Sequence, residues 1–394
     1  MKKKHIIVLL ITYLAFIALG LPDALLGSSW NMVREDLTMP LGAIGFVTLF
    51  SYALTMVSTF FAPQVLAKAQ TKYIIFFSVL MTGSALILMS RVSAFYQIVL
   101  LAIPLGLGAG AIDLSLNHYT AVHFKAKHMN YLHSFYGLGV TFGPMIMAYT
   151  LNNNSWRLGY VYVGLLLLTI AMVILFSFKS WDEETVEHRE EHHAKRSIRS
   201  VLLQKGVRHS LAIFLIYVHI ESLLGVFVAS YAYLHLQVNY ASAALFTMTY
   251  FLALTLGRIT SGLLSEKIHP NTLILVGEIM MLVGGILLLI PSMPILYYYI
   301  SIGLIGIGSG PVFPNMMHMN PYNFSKQAMS RIMSTQMIVG YLGFGILTPI
   351  MGQVFQRTTI DIYPYVVIFL TTGLLLITIR FVQFQLHKTN EKAA

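Results

Sequence analysis

Residues 105–121 read LGLGAGAIDLSLNHYTA, and residues 303–318 read GLIGIGSGPVFPNMMH. Gly106, Gly108 and Gly110 precede His118; Gly306, Gly308 and Gly310 precede His318, so all four matches share one offset of 200 residues. Half of the 394-residue chain is close to that offset. Other pairs agree: Lys68 answers Lys267 after an apolar stretch, Gly137 answers Gly340, and Pro144 answers Pro349. Any single pair could match by chance, but a consistent set points to a unit repeated in the same orientation.

The composition says what the unit is. Hydrophobic residues make up 57% of the chain and charged residues 10%, against ~25% charged in a soluble domain. A water-soluble fold of this size has no place to hide so much apolar surface, so the chain is read as an integral membrane protein. About 20 residues are needed to cross ~30 Å of hydrocarbon. Apolar segments recur near 6–28, 42–66, 72–90, 95–120, 131–152, 157–178, 210–236, 241–264, 271–290, 294–317, 330–352 and 361–386. Each is expected to be a helix, because a strand facing lipid would leave backbone groups unpaired and the weak alternation of a barrel is missing. The fold class expected is all-α, with twelve transmembrane helices in two six-helix halves, 1–178 and 208–394. A polar linker at 179–207 divides them. The first span, Ile6 to about Gly27, is too long for a signal peptide and is closed by no small-residue cleavage site.

The net charge of +10 bears on orientation rather than on nucleic acid. Alternate loops, beginning with the N-terminus, hold nineteen of the 25 Lys and Arg; the opposite loops hold Arg34, Arg91, Arg157 and Arg357. This asymmetry places both termini and the linker on the cytoplasmic side of a cell membrane. The chain has no cysteine, so disulfides, thiolate metal sites and cysteine nucleophiles are excluded. In the linker, His188 and His192 lie four apart near Glu184 and Glu191. A helix could present them to zinc, but a solvated charged helix explains them equally, and no metal is assigned. The glycines at 106–110 have no preceding strand, which excludes a dinucleotide loop, and no P-loop is present to drive transport with ATP. Candidate nucleophiles lack a base and an orienting group at readable spacing, so no enzyme is expected.

Four acids lie well inside spans: Asp23, Asp113, Glu221 and Glu278. Each costs roughly 2.5–3.5 kcal/mol to insert and is retained for function or pairing. A carboxyl that takes and releases a proton as access alternates suits a proton-coupled transporter; the same group could hold sodium or a polyol. Asp23 follows Pro22, which removes a backbone donor and loosens the helix. Asn117 stands one turn from Asp113 on the same face. Glu221 lies midway along the seventh span. Arg258 is expected to pair with Glu266 or Glu278, as a gate or as a static bridge, with Glu278 leaning to the latter. His133, Tyr136, Asn315 and Gln336 are polar positions in or bordering spans that could bind a solute, with His318, Tyr52 and Tyr250 beside them. Trp30 and Trp156 suit the outer membrane interface.

The parallel repeat resembles the major facilitator arrangement, in which substrate is held between the halves near the midplane. The segment Pro22-Asp23-Ala24-Leu25-Leu26, followed by Gly-x-Gly and then Asp113-Leu114-Ser115-Leu116-Asn117-His118, resembles the fucose–proton symporter branch of that superfamily. Departures are Asp113 where that branch has Glu, and His118 where it has Pro. The segments 131–144 and 306–315 are similar to the branch's broader sugar-transporter relatives. The resemblance implies proton coupling at Asp23 and Asp113 and, because the seventh span lines the cavity in that fold, solute binding at Glu221. Asn117, His133, Tyr136, Asn315 and Gln336 are solute-binding candidates by their own chemistry, as amides, an imidazole and an aromatic face for a sugar. The resemblance also implies gating by Arg258, Glu266 and Glu278. The superfamily's loop after the second span is degenerate here, whereas 256–267 keeps Gly257, Arg258, Gly262, Glu266 and Lys267. The expected function is symport of a small polar solute, a sugar or polyol, with a proton. The chain is expected to be a monomer in the bilayer without cofactor or nucleic-acid partner. Alternatives are a proton-antiport exporter of amphipathic compounds and a transporter-like sensor or lipid-handling protein.

Overall fold

The computed structural model describes residues 3–66, 68–124, 126–181, 206–324 and 326–393. Most of the 179–207 linker, with His188 and His192, therefore lies outside the described residues. The described residues are helical with no strand, as a chain in hydrocarbon must be to satisfy its backbone internally. Span 1 is formed by Lys3–Gly20 and Leu25–Asp36, span 2 by Ile44–Leu66, span 3 by Thr71–Met89 and span 4 by Phe95–His123. Span 5 is Ala126–Leu151 and span 6 Trp156–Phe176. Spans 7, 8 and 9 are Val207–Leu234, Tyr240–Leu264 and Pro270–Leu287. Span 10 comprises Ile295–Ser309 and Val312–Asn323. Span 11 comprises Lys326–Leu342, a π-helical turn Gly343–Leu347, and Thr348–Arg357; span 12 is Tyr363–Ala393.

Eleven of these are long and apolar enough to cross a bilayer by length and composition. Span 5 is the exception. Its 26 residues reach about 39 Å at 1.5 Å per residue, but His128, Asn130, His133 and Ser134 dilute its apolar character. Several helices outrun the apolar segments expected from sequence. Span 5 begins at Ala126 rather than 131, and span 12 continues to Ala393 rather than 386, because a helix does not stop where hydrocarbon does.

The glycines explain the packing. In span 4, a β-carbon at Gly106 or Gly110 would run into the Ser51 and Thr55 carbonyl oxygens of span 2. One at Gly108 would run into Thr82 of span 3. Span 4 is thus wedged between spans 2 and 3, and only a missing side chain permits backbones so close. Hydroxyls fasten the contact: Thr55 Oγ1 donates to the Gly106 carbonyl at 3.2 Å and Ser58 Oγ to Leu107 at 2.7 Å. Span 10 repeats the device. Gly306 and Gly310 meet the backbone of span 8 at Tyr250 and Gly257, and Gly308 meets span 9 at Gly277.

Contacts divide the chain into two compact units. The first contains spans 1–6 together with residues 225–248 and 349–360; the second contains the remainder of spans 7, 8 and 11 with spans 9, 10 and 12. The sequence boundary between halves marks a repeat, whereas these boundaries mark packing. Within the first unit, Gly27 abuts the Gly225 carbonyl and Gly45 abuts Pro349. The Gly42 amide donates to Gln356 Oε1 at 3.0 Å, and the Tyr240 hydroxyl donates to Glu35. Trp30 and Trp156 are buried in this unit rather than facing lipid. Trp30 donates to the Leu41 carbonyl at 2.9 Å, and Trp156 to Asp36 at 3.2 Å.

Candidate functional site

Asp23 sits in the break of span 1, between the helices ending at Gly20 and starting at Leu25. Glycines create the place for it. Gly139 and Gly143 of span 5 lie against the Ile17 and Leu21 carbonyls, and Gly20 lies against the span 5 backbone at Tyr136 and Val140. Two helices this close bring the Tyr136 hydroxyl to Asp23 Oδ2, to which it donates at 2.6 Å. The two residues predicted in separate roles are therefore partners. His133, three residues before Tyr136, is exposed and meets the Phe16 ring edge-on at 5.6 Å.

Asp113 lies just past the packed glycines of span 4, on an unbroken helix. Asn117 Nδ2 donates both to its Oδ1 and to its backbone carbonyl, each at 2.8 Å. Among the described residues, no Lys, Arg or His makes an ion pair with Asp113. Its side chain is neither sealed nor fully exposed.

In the second unit, Arg258 Nη2 meets Glu221 Oε1 and Oε2 at 3.3 and 3.4 Å. This corrects the expected pairing of Arg258 with Glu266 or Glu278. Arg258 stands more than a turn inside span 8, level with the middle of span 7. Glu266 lies beyond the end of span 8, exposed. Glu278 is wholly buried on span 9; Thr378 of span 12 donates to its Oε1 at 2.7 Å, and among the described residues its Oε2 has no hydrogen-bond partner. Tyr217, one turn before Glu221, brings a buried hydroxyl beside the Arg258–Glu221 pair but short of hydrogen-bond geometry.

Asn315 follows the interruption of span 10 at Gly310–Pro311. Its Nδ2 donates to the Pro311 carbonyl at 2.7 Å and to Ser261 Oγ at 2.8 Å. Gln336 and Asn320 form a reciprocal amide pair at 2.8 and 3.0 Å, and Gln336 also donates to Ser210 at 2.6 Å. All three are buried, so this network spends its polar groups inside the bundle. Tyr250 is buried as well, 3.5 Å from Ser309, while His318 is exposed.

One cluster escaped the sequence reading. At the π turn of span 11, the Thr348 hydroxyl is 2.7 Å from Ser222 Oγ, 3.2 Å from the Gly343 carbonyl and 3.4 Å from His219 Nδ1. The glycine-rich YLGFGILTP (341–349) was its one sequence signal. Among the described residues, no group of three or more His, Asp or Glu could hold a metal.

The family model described as "Major Facilitator Superfamily" matches residues 10–380. A solved nucleoside transporter, determined as a point mutant, superposes with a TM-score of 0.75 at 12% identity, covering 97% of this chain and 100% of that one. A bacterial homologue of the human lysosomal transporter Spinster, inward-facing and occupied, superposes at 0.71 with 13% identity over 99% and 98%. Among curated proteins, the Saccharomyces cerevisiae Bypass of stop codon protein 6 is 24% identical over 58% of this chain and 53% of its own length. The Bacillus subtilis glucose/mannose transporter is 22% identical over 42% of each. The chain thus spans about half the length, or less, of the curated relatives it matches.

Proposed function

We propose proton-coupled import of a small hydroxyl-rich solute, a sugar or polyol, on the premise that this chain belongs to the Major Facilitator Superfamily and is a multi-span membrane transporter. Alternating access around a site near the membrane midplane is the working mode of such folds.

One observation carries the reading: Asp113, partly exposed in a membrane span, is held by the neutral amide of Asn117. A carboxyl tied to a fixed cation resists a change of charge; one held by an amide and partly exposed can bind and release a proton. Asp23, bonded by the Tyr136 phenol, is assigned a supporting part in the same coupling. Glu221 and Arg258 form an ion pair with mixed donors and acceptors suited to solute hydroxyls. The names of a glucose/mannose transporter and a nucleoside transporter among the similar proteins agree with a hydroxyl-bearing cargo. Cytoplasmic termini, a cell-membrane location and a monomeric state belong to the same proposal, the first of them resting on the loop charges. Sodium in place of the proton is the nearest variant.

Purified protein in proteoliposomes should accumulate one member of a radiolabelled sugar, polyol and nucleoside panel when an inward proton gradient is imposed, and not under a sodium gradient alone. A second reading is export of amphipathic compounds by antiport. It draws on the aromatic and methionine side chains Phe214, Tyr217, Phe313 and Met316 gathered in the second unit. Gradient-driven extrusion of hydrophobic amines with no sugar uptake would replace the first reading with this one.

A further inference from the structure

We propose that the end of the first unit shared by the start of span 3 and the end of span 6 binds the headgroup of an anionic phospholipid. Lys72 Nζ lies 5.4 Å from the Tyr73 ring centroid and 5.9 Å from that of Phe178, within the range of cation–π attraction. Tyr73 and Phe178 meet edge-on at 5.1 Å, and Phe76 closes on Phe178 at 5.7 Å. Phe178 belongs to the short 3-10 turn Phe178–Ser180 that ends span 6. Rings from two helices therefore fix one ammonium in place, where a lysine stem would otherwise sweep through solvent. Lys179 adjoins Phe178 and is exposed; Lys68, in the turn before span 3, is exposed too. Among the described residues, none of these three lysines makes an ion pair with a carboxylate.

The surface beside the three cations is apolar. Phe77 is 61% and Phe176 79% exposed. In a chain that crosses a bilayer, rings with a polar edge mark headgroup depth, and bare phenylalanines one turn further in mark acyl chains. Clustered lysines at that depth attract anionic lipid. A phosphodiester on Lys72 and Lys179, with its acyl chains laid on Phe77 and Phe176, satisfies both halves of the surface. The sequence continues from Trp181 into Asp182, Glu183 and Glu184, the competing partner for these lysines that the test must separate from lipid.

The test uses the full chain in a mild detergent, titrated with dioleoylphosphatidylglycerol, dioleoylphosphatidylcholine or glycerol 3-phosphate. Native mass spectrometry reads retained lipid, and Tm reads stabilisation. The phosphatidylglycerol is expected to stay bound and raise Tm, with the phosphatidylcholine much weaker. Lys72→Gln with Lys179→Gln should weaken phosphatidylglycerol about thirtyfold, from ~1 kcal/mol per lysine at an anionic surface and 1.4 kcal/mol per tenfold. Tm in detergent alone should not move. Lys72→Gln by itself should weaken it by about the square root of that factor. Equal retention of the two lipids overturns the proposal, as does unchanged affinity in the double variant, or a Tm rise with glycerol 3-phosphate matching that with lipid. In a chain with Asp182, Glu183 and Glu184 changed to Gln, adding Lys72→Gln with Lys179→Gln should produce the same thirtyfold loss. If lipid is retained only once those three acids are changed, the acidic run is the occupant and the proposal falls.

Discussion

In span 4 the glycines at 106, 108 and 110 press alternately on spans 2 and 3; in span 10 those at 306, 308 and 310 press alternately on spans 8 and 9. From there the two part. Span 4 continues as an unbroken helix and presents Asp113 with Asn117. Span 10 breaks at Gly310–Pro311 and presents Asn315, whose amide goes to Pro311 and Ser261. The shared part is what close backbone approach demands, so it is held by geometry. The differing part lies just past the packed glycines, where a side chain can change without moving a helix. The repeat preserves the scaffold in both halves and leaves the chemistry of each to diverge.

The harshest way to break this comparison is to add side chains at its common points. Gly110→Val and Gly310→Val each force a branched side chain into neighbouring backbone. Both should forfeit well over the ~1–3 kcal/mol of ordinary overpacking and leave no monodisperse protein on size-exclusion chromatography. Gly262→Ala, with nothing within 4 Å of its added carbon, should fold normally. If only one of the valine variants fails, the two glycine sets are not equivalent.

The differing part is tested next. Asp113→Asn should fold, exchange labelled solute across the membrane in counterflow, and fail to accumulate it with a proton gradient. Asn315→Asp should confer no coupling, and should lose roughly 2.5–3.5 kcal/mol as a new intramembrane acid that can no longer donate to Pro311 and Ser261. Accumulation by Asp113→Asn at the wild-type level moves coupling elsewhere, with Asp23 next to test.

A milder contrast separates an amide-held acid from a cation-held one. Glu221→Gln or Arg258→Gln alone removes one member of the pair and should cost about 1–3 kcal/mol. This is below the ~3–5 kcal/mol of a fully buried pair, since the side chains are 12% and 23% exposed. The double variant should lose less than the sum, as contacting residues do. Additive losses in chemical denaturation would show that the pair is not a coupled unit. Smallest is Tyr240→Phe, which removes the bond to Glu35. At an exposed position it should lower stability by less than ~1 kcal/mol, read as a slight fall in Tm; a large fall would make that bond a main fastener of the first unit.

Much of the architecture was written in the chain. Apolar runs located the spans, Pro22 located the break beside Asp23, and the offset of 200 between glycines located the repeat. Legibility stopped where partners are distant in sequence. Nothing in the letters ties Arg258 to Glu221 rather than Glu266, because the choice depends on how far along span 8 the guanidinium sits against span 7. Gln336 reads as a polar residue for solute until Asn320 and Ser210 are seen to meet it. Span 5 is less apolar than the other spans, and two of its polar side chains bond span 1, Tyr136 at Asp23 and His128 at Tyr13. The tryptophans read as interface anchors by type; that their ring nitrogens find partners inside the protein, at Leu41 and Asp36, is visible only in the fold.

The π turn at Gly343–Leu347 has a consequence for how span 11 tolerates changes in length. The Thr348 amide reaches back five residues to the Gly343 carbonyl, so this turn holds one residue more than its neighbours in an α-helix. Each residue of an α-helix rotates the chain by about 100°. Deleting one residue between 343 and 347 would let the helix close regularly, yet would turn Thr348 by that angle relative to Lys326–Leu342. Thr348 would then swing away from Ser222 and His219. In most helices a one-residue deletion is simply disruptive. Here it would yield an unstrained helix with the Thr348 hydroxyl facing the wrong neighbour, so the extra residue acts as a phase correction that keeps Thr348 on span 7.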